Sequence, residues 1–295
     1  MDKLICSELI LNNDGSVYHL KLLPEDVSDT IIVVGDHNRV PLVSKYFDSI
    51  QVSKDHREFH THTGYVGKKH LSVISTGIGV DNIDIVFNEL DILSSIDLKS
   101  RTLKKDKRTF NIIRLGTTGS ISNQIGIDEI LFSKFAIGID GIPHHYKYNS
   151  NLFEQDLTDT FIQKTNWSKK LAEPYAVKAS NLLWDHMYES QYKKGISLTM
   201  NGFYAPQGRE LRVPLSHPDL LKKCENIKYD NLKISNIEME TAGLYAFGKI
   251  FNHEVISLST VLANRSNGQF SAHPSQSIEK LIKFALSKLE FFKQV

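Results

Sequence analysis

The chain has 295 residues, a formal net charge of +1 and 41% apolar residues. This length suits one large α/β domain or two small ones, and it can bury a substantial core without disulfides or metals. A charge near zero supplies no field that would draw in nucleic acid or an anionic membrane surface, and no apolar run reaches the ~18 residues of a membrane helix, so neither partner is expected.

In chain order, short runs rich in Val and Ile predict buried strands at residues 30–35, 71–75, 111–116, 130–135 and 255–261. Their near-continuous hydrophobicity, without alternation, suits strands covered on both faces. Between them, Ile83, Val86, Leu90 and Leu93 recur at helical spacing, and residues 171–188 predict a second helix that tolerates Pro174 only in its first turn. A third helix carries Ile278, Leu281, Ile282, Ala285 and Leu289, with Ser275 or Ser277 as its cap. The charged stretch 97–109 reads as a solvated loop or helix extension, and the polar stretch 141–164 as a long surface excursion of lid-like character. Strands interleaved with helices predict an α/β fold: a single domain over residues 1–295, with a central mixed β-sheet flanked by helices. Cys6 and Cys224 have neither paired nor metal-ligand spacing, and the N-terminus lacks the pattern of a signal peptide. A cytoplasmic protein with reduced thiols is the expectation.

Two separated stretches carry the chemistry. Residues 202–209 offer the ring of Phe203, the amide of Gln207 and the guanidinium of Arg209; Glu238 and Glu240 flank the thioether of Met239. Such groups suit the flat base and the diol-bearing sugar of a nucleoside. On spacing alone, Phe203 and Tyr204 equally suit a strand end, Gln207 and Arg209 a solvated turn, and the two glutamates the outer face of a strand. A third component, an anion site, has candidates in the turn from Gly35 to Arg39, in Arg114 with Gly116, Thr117, Thr118 and Gly119, and in Arg57. A glycine after a strand lets backbone N–H groups approach an anion, and an arginine adds a bidentate contact. No stretch has the glycine spacing of a P-loop or a dinucleotide fingerprint. His56, His60 and His62 raise the question of a metal, but HREFH is not H-E-x-x-H and the sequence offers no evident third ligand, so none is assigned.

Taken together, six motifs in order resemble the nucleoside phosphorylases of the uridine phosphorylase type, from about His19 to the last helix. They are Gly35-Asp36 with Arg39, residues 56–59, residues 75–79, residues 114–119, Phe203-Tyr204 with Gln207 and Arg209, and residues 238–240. The resemblance implies that Gly35, Arg39, Arg114 and Thr117 hold inorganic phosphate. It implies that Arg57 reaches the phosphate of a neighbouring subunit and that His19 crosses the same interface to the ribose 5′-hydroxyl. Phe203 would pack on the base, and Gln207 and Arg209 would bind its carbonyl and N3 edge. Glu240 would bind the ribose hydroxyls, and Met239 would pack on the sugar. Thr118, Gly119 and, less directly, Glu238 complete the implied nucleoside site. Arg114, Gln207, Arg209 and Glu240 are the implied catalytic set.

The implied reaction is phosphorolysis of uridine, with deoxyuridine and thymidine as further substrates. Phosphate is a co-substrate, no cofactor is required, and the active sites are shared in a homo-oligomer. Some relatives hold a monovalent cation at positions matching Glu58, Ile78 and Asn82; Asn82 replaces a small hydroxyl residue, which argues against one here. Purine-specific relatives usually carry an aspartate soon after the strand at 255–261, where this chain reads Leu262-Ala263-Asn264-Arg265-Ser266. A purine nucleoside phosphorylase is the nearest alternative, and a non-catalytic nucleoside-binding protein is the alternative of a different class.

Overall fold

The computed structural model describes residues 4–290 and 292. The strands are β1 (Thr30–Val34), β2 (Ser49–His56), β3 (Phe59–Val66), β4 (Lys69–Ser75), β5 (Ile96–Asp97), β6 (Thr102–Leu103), β7 (Asn111–Ser120), β8 (Ile130–Gly138), β9 (Tyr175–Lys178), β10 (Lys193–Thr199), β11 (Lys228–Tyr229), β12 (Leu232–Glu238), β13 (Glu254–Asn264) and β14 (Gln269–Phe270). The helices are α1 (Arg39–Ser44), α2 (Val80–Ser95), α3 (Gln155–Thr165), α4 (Asn181–Met187), α5 (Leu220–Cys224), α6 (Thr241–Phe251) and α7 (Pro274–Leu289).

Among the described residues, twelve strands form one mixed sheet in the order β11-β12-β10-β8-β13-β7-β1-β4-β3-β2, with β14 on β13 and β9 on β8. Every residue of β1 is buried, because β1 lies between β4 and β7 in parallel and helices cover the sheet. Two further pairings, Asn236 with Ser120 and Ile237 with Gly119, bring β12 back to β7. Strands β7, β13, β8, β10 and β12 therefore close into a ring. The remaining strands extend from β7 as an open wing. The C-terminal ends of β7 and β12 cross where that ring closes, which places their following residues side by side.

Helix α2 buries Ile83, Val86, Leu90 and Leu93 in the main core, as its periodicity predicts. Each such side chain contributes roughly 1.5–3 kcal/mol by leaving water. Helix α7 also forms as expected, but its cap is His273 with Pro274 in the first turn. Ser275 and Ser277 lie inside the helix, and Ser277 Oγ instead donates to Asp128. The helix expected over residues 171–188 does not exist as one element. Pro174 disfavours helix in the residue before it, and Tyr175–Lys178 pairs with β8 as β9. Ser180 then caps α4, its Oγ accepting from Leu183 N at 3.1 Å. The stretch 97–109 includes a two-stranded hairpin of β5 and β6. The excursion at 141–164 holds two short 3-10 turns and most of α3, whose Leu157 and Phe161 are buried in a second core. Among the described residues no helix is long and apolar enough to cross a membrane.

Candidate active site

A cavity of about 680 Å³ opens where β1, β7 and β12 end. In open α/β sheets this end of the strands is where ligands bind. It gathers Gly35, Arg39, Arg114, Thr117, Thr118, Gly119, Phe203, Gln207, Arg209, Glu238, Met239 and Glu240, which the sequence had placed in three separate groups.

Arg114 sits at its floor. The guanidinium is buried; Nη2 donates to Glu240 Oε2 at 2.6 Å and lies 3.2 Å from Glu238 Oε2. Its Nη1 donates to Ser259 Oγ at 3.2 Å and Ser257 Oγ at 3.4 Å, both from β13. Burial opposes its charge, but the two carboxylates outweigh burial and raise its pKa above the ordinary value. This geometry requires Gly116. Arg114 and Gly116 share a face of β7, and a Cβ at Gly116 would stand 1.9 Å from Arg114 Nη1.

The two glutamates differ in use. Glu238 accepts from Thr199 Oγ1 at 2.5 Å and from the backbone N–H groups of Glu240 and Thr241, both at 2.9 Å. It thereby satisfies orphan donors at the start of α6 and places negative charge at the positive end of that helix. Glu240 Oε1 accepts from Gly79 N at 2.8 Å while Oε2 faces Arg114. Gly79 reaches that position with φ 93°, a conformation that disfavours other residues. Burial and the neighbouring Glu238 raise the pKa of Glu240, against the opposing pull of Arg114.

Arg39 lies across the cavity floor, 9% exposed, with Nη1 donating to Leu115 O at 3.1 Å. Among the described residues it makes no ion pair, and burial together with the charge of Arg114 lowers its pKa. Two guanidiniums that repel each other, one without a carboxylate partner, leave a place for an anion.

At the far end Phe203 is half exposed and Gln207 is 3% exposed. The Arg209 guanidinium lies 3.8 Å above the Phe203 ring; its Nη1 donates to Gln207 Oε1 at 2.6 Å and to Phe203 O. Arg265 braces this turn, Nη1 donating to Gln207 O at 3.0 Å. Leu262, Ala263 and Phe270 complete that end, which holds no carboxylate among the residues lining it. Asn264, in the stretch 262–266 where the resemblance led us to look for an aspartate, is buried, with Nδ2 donating to Ser122 O and Ile125 O. Thr118 is also committed internally, its Oγ1 donating to Ile237 O and accepting from Asn236 Nδ2, each at 2.8 Å.

His19 and Arg57 are the two expected residues that do not line their own chain's cavity. Both lie against Tyr18: the His19 ring is 4.8 Å from the Tyr18 ring and the Arg57 guanidinium 5.7 Å from it. The carboxylate of Glu89 fixes His19, accepting from its backbone N at 2.8 Å and facing its Nδ1 at 2.7 Å. Arg57, at the tip of the β2–β3 hairpin, has φ 58°. Glu58, Ile78 and Asn82 do line the cavity, and the Asn82 amide donates to Ile78 O at 3.4 Å.

The sequence assigns no role to Gly79, although it lies in the motif at residues 75–79, nor to Thr199, Glu89, Ser257 and Ser259. The two serines alternate with apolar residues in β13, a period-2 signal of one polar face that was available. The other three gain meaning only from contacts 39 to 161 residues away.

A sequence model of the Phosphorylase superfamily matches residues 29–290, and the chain belongs to that family. The chain is 28% identical over 272 residues to a uridine phosphorylase of Thermococcus kodakarensis, spanning 92% of this chain and 85% of the relative. It is 24% identical over 281 residues to a DeoD-type purine nucleoside phosphorylase of a Thermoanaerobacter species, spanning 92% and 99%. A solved Trypanosoma brucei nucleoside phosphorylase, described as showing uridine phosphorylase activity, superposes with a TM-score of 0.84 at 27% identity, covering 96% of this chain and 99% of that one.

Proposed function

We propose that this protein catalyses phosphorolysis of uridine, giving uracil and ribose 1-phosphate. The observation that carries the pyrimidine reading is the Phe203–Gln207–Arg209 end of the cavity, which offers an amide and a guanidinium but no carboxylate. A purine leaving group is aided by protonation of a ring nitrogen, and an acid would be needed there. A pyrimidine leaving as an anion spreads its charge onto O2 and O4, and a fixed guanidinium and amide stabilise that charge. The uridine phosphorylase name among the relatives supports the same choice.

In this reading Arg39 and Arg114, with Gly35 and Thr117, hold the phosphate dianion. One phosphate oxygen attacks the anomeric carbon as the C–N bond breaks, passing through an oxocarbenium-like state. The bonding electrons go to N1 of uracil, which takes a proton on release. Glu240, held between Gly79 and Arg114, orients the ribose hydroxyls while Met239 packs on the sugar. Glu238 positions Arg114 and Glu240. His19 and Arg57 complete the site of a second copy, which makes the active unit at least a dimer of closed symmetry.

The test is release of uracil from uridine as a function of phosphate. Phosphate-dependent uracil release is expected; release without phosphate would indicate a hydrolase, and inosine cleavage without uridine cleavage a purine enzyme. Tight nucleoside binding with no turnover of any nucleoside would indicate a non-catalytic binder.

A further inference from the structure

The histidines that lacked a third metal ligand in the sequence acquire one in the fold. His60 and His62 alternate on one face of β3, their Nε2 atoms 3.0 Å apart. The β1–α1 turn brings His37 against them, its ring stacked 4.7 Å from that of His60. Strand β2, paired with β3, presents Asp55, whose Oδ1 lies 3.0 Å from His37 Nε2. One donor atom from each of His37, Asp55 and His60 lies within 4.8 Å of the other two.

A second observation concerns His60 alone. Its Nε2 faces His62, and its Nδ1 is buried without a hydrogen-bond partner. In either tautomer one ring nitrogen is therefore left unused, and a buried polar atom without a partner costs about 1–3 kcal/mol. Metal coordination by the imidazole relieves that imbalance, because a bound cation takes a nitrogen lone pair that no protein donor reaches.

We propose that His37, Asp55 and His60 form a binding site for a divalent transition-metal ion of the zinc class. Two imidazoles and one carboxylate suit a borderline-soft ion better than magnesium or calcium, which prefer all-oxygen ligands. Bonds of ~2.0–2.2 Å set ligand atoms roughly 3–3.5 Å apart. The His37–Asp55 contact already has that spacing at 3.0 Å, and the donor atom of His60 lies within 4.8 Å of both. Asp55 is 61% and His37 35% exposed at the side chain, so an ion can enter from solvent and keep water in its open position. The site lies outside the nucleoside end of the cavity. It ties the β2–β3 hairpin to the turn that carries Gly35 and Arg39, and it does not depend on which nucleoside the enzyme uses.

Calorimetric titration of the tag-free full chain with zinc chloride, in buffer without phosphate, tests the proposal. The wild type is expected to bind one ion with micromolar affinity, and Asp55→Asn and His60→Ala to bind at least ten-fold more weakly. Cobalt(II) should give the intense visible absorption of a low-coordinate site in the wild type and lose it in Asp55→Asn. Asp55 is exposed, so that variant remains informative even if His60→Ala folds poorly. Equal zinc affinity in wild type and Asp55→Asn, or no saturation of the wild type by millimolar zinc, overturns the assignment.

Discussion

Arg114 Nη2 donates to Glu240 Oε2 across 2.6 Å, with both side chains buried at the bottom of the cavity. The pair links the ends of two strands that cross where the sheet closes, so an anion held by Arg114 and a sugar held by Glu240 would share one fixed frame. Glu238 stands 3.2 Å from the same guanidinium but spends its other oxygen interactions on Thr199 and the start of α6. The two carboxylates should therefore separate under mutation. Glu240→Gln keeps shape and removes charge; it is expected to lower uridine kcat/KM by one to two orders of magnitude, the size of a lost charged hydrogen bond of ~1.5–3 kcal/mol. Glu238→Ala should also lower the melting temperature, since it strips a helix N-terminus and leaves buried donors unpaired at a cost of about 2 kcal/mol or more. Equal melting temperatures for the two variants would contradict this division of labour.

Arg209→Ala is expected to reduce uridine turnover by one to two orders of magnitude through the same ~1.5–3 kcal/mol of charged hydrogen bonding. Arg209→Lys should recover little, because an ammonium reproduces neither the flat stack on Phe203 nor the fork that reaches Gln207. Steady-state kinetics on uridine would decide it, and unchanged kinetics in the alanine variant would take Arg209 out of the site.

Arg39→Ala should act mainly on phosphate. Its guanidinium has no carboxylate partner among the described residues, so its charge is available to a bound anion. The phosphate KM is expected to rise by roughly ten-fold or more, with a smaller change in the uridine KM. A rise in the uridine KM alone would place Arg39 elsewhere in the reaction.

Gly116→Ala tests the packing beneath Arg114. The added methyl group would meet the guanidinium at 1.9 Å and force it off Glu240 and Ser259. Activity should fall at least as far as in Glu240→Gln, while the strand itself tolerates alanine. Near-wild-type activity would show that Arg114 need not hold this position.

Stability should depend on pH through His253. Burial pushes its pKa down to about 4, and Asp91 Oδ1, at 3.9 Å from Nε2, is beyond hydrogen-bond reach. The unfolded chain binds this proton near pH 6.5 and the folded chain only near pH 4. Stability is thus fully present above about pH 6.5 and lost as pH falls toward 4, by roughly 3 kcal/mol at 1.36 kcal/mol per pKa unit. His253→Asn should flatten the melting temperature between pH 7 and pH 5. A slope equal to that of the wild type would assign the acid sensitivity to other groups.

Much of the sheet was legible before folding was considered. Strands such as β1 are buried on both faces and need unbroken Val and Ile, which a reader can see. Strand β2 could not be read this way, because its SIQVSKDH sequence is largely exposed and polar. The segment of β9 falls inside the stretch 171–188, which predicts a single helix; pairing with β8 overrode that expectation. The site residues were legible as types in short motifs, and apart from His19 and Arg57 they converge on one cavity.

Local composition was enough to specify an α/β sheet, a turn at residues 203–209 carrying a ring, an amide and a guanidinium, and a carboxylate pair at Glu238 and Glu240, since each depends on neighbours within a few residues. It could not tell that Thr199 would engage Glu238 while Gly79 and Arg114 engage Glu240, nor that Asp55 and His37 would stand beside His60. Those facts depend on groups that only the fold brings together: those partners of the two glutamates lie 39 to 161 residues away, and His37 reaches His60 from the turn after β1. Burial then sets the strength of each charge, and burial belongs to the packed molecule as a whole.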